Sequence, residues 1–236
     1  MKSKERQSGI TLMEMMIVIA IVVLLTTLAI PSIRTLFNSM ATEGGVRSMV
    51  SAALSSARAI SAKERRYAGV RFQEDKNGHQ YAIFIIYDYD KTKLENGFRA
   101  VANVKPIKLP DTIGIMDINA INSNDDIDAP YKLSDATTFS IIFSPSGKMV
   151  IHDVWIRNRD GETDETSTDD IFNTADNNVD AMFYQDDDKE SSRRSFVFYD
   201  KVAFDKIDPD SRWEDYLWKL KLININPYTG RIISTE

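Results

Sequence analysis

The hydrophobic and polar positions divide the chain into three blocks, and the first block is a continuous apolar run. Residues 10–30 are apolar apart from Glu14 and a few threonines, and the run ends at Pro31. About 20 apolar residues are enough for one helix to cross the roughly 30 Å hydrocarbon layer of a membrane. The pattern therefore predicts a transmembrane helix over residues 10–31.

The second block has the period of an amphipathic helix. Its apolar residues follow i, i+3, i+4, i+7 spacing, which places them on one helical face: Val46, Met49, Val50, Ala53, Leu54, Ala57 and Ile60. We predict an amphipathic helix over residues 32–66, continuous with the apolar run from Ile10 to about Arg66. Pro31 and the pair Gly44–Gly45 are expected to interrupt or soften it, because both residue types weaken helices. A separate helix after a linker remains the alternative.

The third block, residues 67–236, alternates with a period of two, which is typical of strands. The predicted strands are 67–72, 80–87, 98–104, 107–109, 138–143, 148–151, 194–199, 218–225 and 231–233. Turn sequences at 75–78, 144–147 and 226–230 connect three of the expected hairpins. One long helix followed only by strands predicts an α+β fold, with the helix packed on an antiparallel sheet.

The carboxylate of Glu14 distinguishes the apolar run from an ordinary membrane anchor. A charge at the centre of a bilayer costs roughly 2.5 kcal/mol or more, so an anchor has no use for it. The run is preceded by a short polar leader, MKSKERQSG, which ends in glycine. The leader carries three basic residues against one acidic residue, so we expect it to stay in the cytoplasm and the remainder to lie outside.

This leader, which ends at Gly9 and is followed by an apolar run that contains Ile10, Thr11 and Glu14, resembles the start of the type IV pilin and type II secretion pseudopilin superfamily. The resemblance implies that residues 1–9 are a prepilin leader peptide. Prepilin peptidase, which is also the N-methyltransferase, would cut between Gly9 and Ile10 and methylate Ile10. Many members have Phe at that position, so Ile10 is a departure, although an apolar one.

The same resemblance assigns roles to two further residues. Glu14 would assemble the filament by pairing with the α-amino group of a neighbouring subunit, because a buried carboxylate needs a positive partner. Pro31 would kink the helix near the end of the apolar run. Residues 10–31 would then form the filament core after assembly.

A narrower resemblance, to the H-type minor pseudopilins (the GspH/FimT family), rests on five stretches in order. They are a small-residue-rich helix (SAALSSARAISA), a short strand (YAGVRF), LPDTIGI, an FSPSG hairpin and a final NPYTGR turn. Each stretch alone is weak, since turn residues recur in many proteins. The segment from about 153 to 195, here called the acidic segment, departs from the family because it is longer and more acidic.

Clustered Asp and Glu residues in the acidic segment raise the hypothesis of a calcium site, since Ca²⁺ prefers oxygen ligands. The spacing after Asp160 does not fit an EF-hand. We favour a solvated loop that is mobile from about Glu162 to Glu190, as the abundance of Asp, Asn, Ser and Thr indicates. We therefore expect no metal site and no cofactor.

Composition narrows the function further. The 236 residues are 43% hydrophobic, with a net charge of −6 and no cysteine, which suits one globular domain plus a membrane segment. The acidic balance makes nucleic-acid binding unlikely. His79 and His152 have no third partner at a catalytic spacing, and no nucleophile motif or P-loop is present. We expect no enzymatic activity.

These observations favour a minor pilin or pseudopilin, a structural subunit of a type II secretion pseudopilus or a type IV pilus. Its expected partners are other pilins, prepilin peptidase and an inner-membrane assembly platform. Its expected location is the bacterial inner membrane, single-pass, with a cytoplasmic amino terminus and a periplasmic domain. The alternative is a signal-anchored extracytoplasmic ligand-binding protein.

Overall fold

The computed structural model describes residues 12–40, 42–117, 130–160, 167, 169–172, 183 and 189–234. The side chains of residues 28–40, 130–132, 134 and 234 are not among those described. The chain divides into two compact units, Met1–Met40 and Ala41–Glu236.

Helix α1, Leu12–Met40, is the described part of the first unit. The helix continues through Pro31, so the kink expected there stays a prediction. Among the residues that the structure describes, no helix is both long and apolar enough to cross a membrane.

Helix α2, Glu43–Glu64, opens the second unit. The chain changes helix between Met40 and Glu43, not at Gly44–Gly45 as predicted, because Thr42 caps the new helix. The Thr42 hydroxyl accepts a hydrogen bond from the Gly45 N–H at 3.4 Å. The helix ends at Arg65, whose φ of 52° lies in the left-handed region that stops helices.

The described residues that follow α2 form twelve strands and four short α-helices. The strands are β1 (Ala68–Glu74), β2 (Gln80–Tyr87), β3 (Gly97–Ala100), β4 (Ile107–Lys108), β5 (Ile113–Met116), β6 (Phe139–Phe143), β7 (Met149–Val150), β8 (Asp153–Arg157), β9 (Glu190–Ser191), β10 (Ser195–Asp200), β11 (Ile223–Ile225) and β12 (Ile232–Ser234). The helices are α3 (Tyr89–Thr92), α4 (Pro130–Thr137), α5 (Lys201–Phe204) and α6 (Arg212–Asp215). These short helices were not predicted, because each is too brief to show a helical period.

The strands form two sheets. The larger sheet has the order β7-β6-β1-β2-β3-β8-β9, with β4 also paired to β2, and the smaller has the order β12-β11-β10-β5. Their pairings are antiparallel except that of β3 with β8, which is parallel. The predicted α+β fold, with a helix followed by a mainly antiparallel domain, is confirmed.

Helix α2 is packed between the two sheets. Its buried stripe is the predicted one: Val46, Val50, Ala53, Leu54 and Ala57. These residues share a core cluster with Phe72 of β1, Phe139 of β6 and Phe196 of β10. Alternate residues of β1, β2, β6 and β10 face this cluster, as the period of a strand requires.

The opposite face of each sheet is also covered. On the larger sheet, Ile83, Ile85 and Phe98 pack with residues of the acidic segment. On the smaller sheet, Val197 and Tyr199 pack with residues of α4, α5 and the chain after α6. The described residues of the second unit therefore form three hydrophobic clusters around the sheets.

One predicted strand is wrong in its first half. Leu217–Lys219 is a 3-10 helix, and only Ile223–Ile225 of the predicted 218–225 strand pairs in a sheet. The alternation of Trp218, Leu220 and Leu222 resembled a buried strand face. Trp218 is instead 74% exposed, because the preceding Leu217 takes the buried position.

Candidate functional site

The predicted processing site, Gly9 and Ile10, lies outside the described residues, so its cleavage and methylation stay predictions. Glu14 lies in the first turn of the described helix α1 and is exposed. The proposed pairing of Glu14 with a neighbouring subunit also stays a prediction.

Arg58 of α2 joins the two turns that the narrower resemblance singled out. Its Nε donates to the Gly147 carbonyl at 2.8 Å, and its Nη1 donates to the Thr229 carbonyl at 3.3 Å. These contacts join Arg58 to residues that come 89 and 171 positions later in the chain. The FSPSG and NPYTGR stretches, distant in sequence, therefore meet at one arginine.

The glycines of these two turns are required by space as well as by conformation. Gly147 and Gly230 have φ values of 74° and 68°, which side chains rarely adopt. A Cβ on Gly230 would lie 3.0 Å from the Phe143 ring, and one on Gly147 would lie 3.2 Å from the Arg58 Nε. The turns can approach α2 this closely only with glycine at both positions.

Gln80 connects the two sheets through one buried side chain. Its Nε2 donates to the carbonyls of Ile115 and Thr137, at 2.7 and 3.0 Å. Its Oε1 accepts from the Ile115 N–H at 2.8 Å. Since Gln80 belongs to β2 and Ile115 to β5, these bonds fix the smaller sheet relative to the larger one.

Arg71 holds the end of the acidic segment against the larger sheet. Its side chain is fully buried, and its Nη1 donates to the Glu190 Oε1 at 2.7 Å. Its Nε donates to the Gln73 Oε1 at 2.8 Å. The guanidinium faces away from α2, because its strand neighbours Val70 and Phe72 face the helix.

Three residues beyond Glu190, Arg193 contributes a second, partly buried ion pair. Its Nε donates to the Asp117 carboxylate, whose side chain is 1% exposed. Its backbone N–H donates to the Ser140 carbonyl at 2.7 Å. Together with the Arg71–Glu190 pair, these contacts attach residues 190–193 to both sheets.

The acidic segment is therefore not the solvated loop that we expected, at the positions the structure describes. Ser167, Ile171, Phe172 and Phe183 are buried, the last three against the larger sheet. The expectation is wrong at these four residues, because isolated apolar residues in an acidic stretch show no period that would predict burial. At these positions the acidic segment packs over one face of the larger sheet.

A third set of ionic contacts surrounds Asp88, which directly follows β2. Its carboxylate accepts hydrogen bonds from the Arg99 Nε at 2.8 Å and from the Lys91 N–H at 3.3 Å. Arg66, which follows α2, lies 3.4 Å away. Burial raises the pKa of Asp88, but the hydrogen bond and charge of Arg99 outweigh it, so the net pKa is lowered.

Both histidines have local partners. The His79 Nδ1 lies 3.4 Å from the Asp75 carboxylate. His152 packs against the rings of Tyr67 and Phe98, at centroid distances of 4.3 and 5.6 Å. Neither arrangement places a nucleophile beside the imidazole.

A cleft of about 620 Å³ lies between the chain around Asn103–Pro106 and the acidic segment. Lys105, Arg159 and Asp170 supply its charges, and the described lining contains no serine, threonine, cysteine or histidine. Within the described part of the chain, no three His, Cys, Asp or Glu side chains lie close enough to hold a metal ion. The cleft offers charged contacts but no nucleophile with its base.

Comparison with known families identifies the amino terminus. Residues 4–30 match the model of the prokaryotic N-terminal methylation motif. This motif supports the type IV pilin and pseudopilin superfamily, and with it a type IV pilin-like protein that prepilin peptidase processes. No curated protein and no solved structure matches the chain.

The motif also implies assembly with other pilins and points to a structural subunit. It includes the predicted residues Gly9, Ile10 and Glu14, and its matched region ends one residue before Pro31. The residues that sequence reasoning missed are Arg58, Arg71 and Gln80. The one available signal, for Arg58 and Arg71, was a charged side chain flanked by apolar or small residues.

Proposed function

We propose that this protein is a minor pilin or pseudopilin, a non-catalytic subunit of a type II secretion pseudopilus or a type IV pilus. The observation that carries the proposal is the match of residues 4–30 to the methylation motif. The α+β domain behind it, with a helix packed on a mainly antiparallel sheet, is consistent with a pilin-like fold.

The meeting of the FSPSG and NPYTGR turns at Arg58 supports the narrower, H-type assignment within this proposal. These two turns lie about 80 residues apart in the sequence. Their contact with one residue of the small-residue-rich helix indicates that they act as one structural unit.

In the proposed pathway, the chain enters the inner membrane with its leader in the cytoplasm and its domain in the periplasm. Prepilin peptidase cuts after Gly9 and methylates Ile10. The helix that follows then leaves the bilayer to pack with other pilins on an assembly platform. Glu14 sets the register, because one axial stagger brings its carboxylate to a neighbour's amino terminus.

The first test is the mature amino terminus. Mass spectrometry of the protein from cells with an active prepilin peptidase should show methylated Ile10 as the first residue. A matched variant, Gly9→Val, should keep the leader, because a side chain there obstructs the protease. An intact leader on the wild-type protein would contradict the proposal and favour the signal-anchored ligand-binding alternative.

The second test addresses assembly. Glu14→Ala should leave insertion and cleavage intact but reduce crosslinking to partner pilins and the dependent secretion or pilus output. Glu14→Gln should lie between the wild type and Glu14→Ala if hydrogen bonding carries part of the effect. Normal crosslinking of Glu14→Ala would show that the carboxylate does not determine assembly.

A further inference from the structure

Arg159 is a mostly buried cation without a close hydrogen-bond acceptor among the described residues. Its side chain is 30% exposed, and its buried Nε donates to no described atom. The Asp169 Oδ2 lies 3.9 Å from that Nε, near enough for charge attraction but too far for a hydrogen bond. Arg71 and Arg193, by contrast, each donate to a carboxylate. Because leaving the N–H donors of a buried guanidinium unpaired is costly, an acceptor brought by a ligand would stabilise Arg159.

Arg159 lines the cleft of about 620 Å³, which we call the Arg159 cleft. Lys105, which is exposed, lines it from the chain before β4. Asp170, also exposed, is the one acid in the described part of the lining. The described lining therefore carries two positive charges against one negative charge. This balance suits a ligand with a single negative charge better than a doubly charged phosphate, because Asp170 repels the second charge.

The other described residues of the Arg159 cleft are apolar, aromatic or amide. They are Val104, Pro106, Ile171, Tyr81 and Asn103. An asparagine amide can donate and accept hydrogen bonds, as a peptide group does. Apolar walls with a few polar groups are typical of sites that bind small ligands. A peptide combines the matching features, because its carboxylate, its amide groups and its apolar side chains lie close together.

Both sides of the Arg159 cleft are attached to the core of the second unit. On one side, Val104 packs against the cluster around α2, and Ile107 of β4 pairs with Ala82 of β2. On the other side, Ile171 is 3% exposed and packs against the opposite face of the larger sheet. The Ile171 N–H also donates to the Asp169 Oδ1 at 3.3 Å. Because these contacts form the walls in advance, a ligand has little of the protein to order when it binds.

We propose that the Arg159 cleft binds a peptide carboxylate that adjoins an apolar side chain. Arg159 and Lys105 contact the carboxylate, the guanidinium through parallel N–H groups that match the two carboxylate oxygens. The apolar side chain of the peptide packs against Val104, Pro106 and Ile171. The cleft lies wholly within the second unit, so this inference goes beyond the proposed function and does not depend on it. Such a site would give a structural subunit a means to select a partner protein.

The experiment is isothermal titration calorimetry of the full chain in detergent with three acetylated tetrapeptides. The first has three alanines and a terminal leucine with a free carboxylate, and the second is the same peptide with a terminal carboxamide. The third has glutamate before the leucine and a terminal carboxamide, so it distinguishes a side-chain carboxylate from a terminal one. Inorganic phosphate at pH 8, where it is mainly doubly charged, tests the preference for a single negative charge.

Two substitutions each remove one positive charge from the Arg159 cleft. Arg159→Gln and Lys105→Gln keep a hydrogen-bonding side chain, and each should weaken binding of the carboxylate peptide about tenfold. Lys105 is exposed, so Lys105→Gln tests the site even if Arg159→Gln does not fold. Lys108→Gln is the matched control, because Lys108 is exposed on the adjacent β4 and does not line the cleft. It should leave binding unchanged.

We expect the wild type to bind at least one carboxylate peptide about tenfold more tightly than the peptide without a carboxylate. Equal binding of the three peptides, binding of none, or unchanged binding in both cleft variants would overturn this inference. An equal loss in Lys108→Gln would show general attraction to a positive surface and would overturn it too. Tighter binding of phosphate than of either carboxylate peptide would contradict the choice of a singly charged peptide. These outcomes are independent of leader cleavage, so the proposed function is tested separately.

Discussion

The two faces of the larger sheet are covered in different ways. One face packs against α2, a regular helix with five fully or almost fully buried apolar residues. The other packs against the acidic segment, whose described contribution is Ile171, Phe172 and Phe183. The described residues on both faces are buried. Helix α2 covers one face as a continuous element, whereas the acidic segment covers the other through separate apolar side chains.

The difference shows that the composition of a segment does not decide whether it contributes to a core. A helix buries its apolar residues through a repeating period, so each contact supports the next. The acidic segment relies on single large rings and on the ion pair between Arg71 and Glu190. We therefore expect its cover to open locally at a lower free energy than α2.

The largest loss of stability is expected from a substitution on the face of the larger sheet that packs against α2. Phe72→Ala removes a fully buried ring that packs 5.1 Å from Phe139, measured between centroids. The free energy of unfolding should fall by about 3–5 kcal/mol, as for other buried aromatic residues. Urea denaturation of the detergent-solubilised chain measures this loss, and Phe72→Leu should lose less because it fills part of the cavity.

The matched change on the other face is Phe183→Ala. This ring is equally buried and packs against Tyr81 at 5.2 Å and Phe172 at 6.1 Å. We expect a smaller loss of about 2 kcal/mol, because the cover can open and hydrate without unfolding the sheet. Hydrogen exchange should increase around residues 169–172 but not in α2. If Phe183→Ala lowered the free energy of unfolding as much as Phe72→Ala and increased exchange in α2, the expected difference between the two faces would be contradicted.

Removing the ion pair should weaken the acidic cover further. Arg71→Met leaves Glu190 without its 2.7 Å partner, although Glu190 can hydrate because its side chain is 24% exposed. We expect about 1–2 kcal/mol of destabilisation, with Glu190→Gln in addition to Arg71→Met restoring part of it. Lys189→Met breaks only the exposed pair with Asp153 and should change nothing measurable.

The smallest effect is a difference in pH dependence between Asp88 and Asp169. The pKa of Asp88 is lowered, so its stabilisation is present above the unfolded value near 4 and is lost as the pH falls through the folded value. Burial raises the pKa of Asp169, beside Arg159, so its ionised form weakens the acidic cover at neutral pH. Protonation should remove that penalty as the pH falls through its raised value.

Thermal melts between pH 7 and pH 2.5 measure both effects. Asp88→Asn should flatten the loss of stability below about pH 4. Asp169→Asn should raise the melting temperature at pH 7 and remove the gain on mild acidification. Parallel melting curves for the two variants would show that neither carboxylate titrates as the structure indicates.

Sequence reasoning predicted the features that repeat. The buried stripe of α2, the α+β fold and the three hairpin turns follow from period and turn residues, which act locally. The parallel pairing of β3 with β8 could not be predicted, because Gly97 and Trp155 are far apart in sequence. The same limit applies to Arg58, whose partners are fixed by tertiary contacts.

The candidate functional residues also fall into two groups: those that the sequence pattern indicates and those that depend on tertiary packing. Glu14 stands out because it interrupts an apolar run, and Gly9 and Ile10 because the polar leader gives way to that run between them. The burial of Phe183 and the exposure of Trp218 depend on what packs around each ring. Alternation of apolar residues placed Trp218 in a strand, whereas Leu217 is the residue that reaches the core.

The position of α2 between the sheets has a consequence for biogenesis. The helix is translated before every strand, yet Phe196 of β10 and Ile223 of β11, which cover it, come about 150 residues later. Until those strands have left the ribosome, the apolar stripe has no complete partner. A nascent chain in that state is prone to aggregation. Folding of the domain should therefore finish only after its last strands are synthesised, and a chaperone that binds the exposed stripe would protect it.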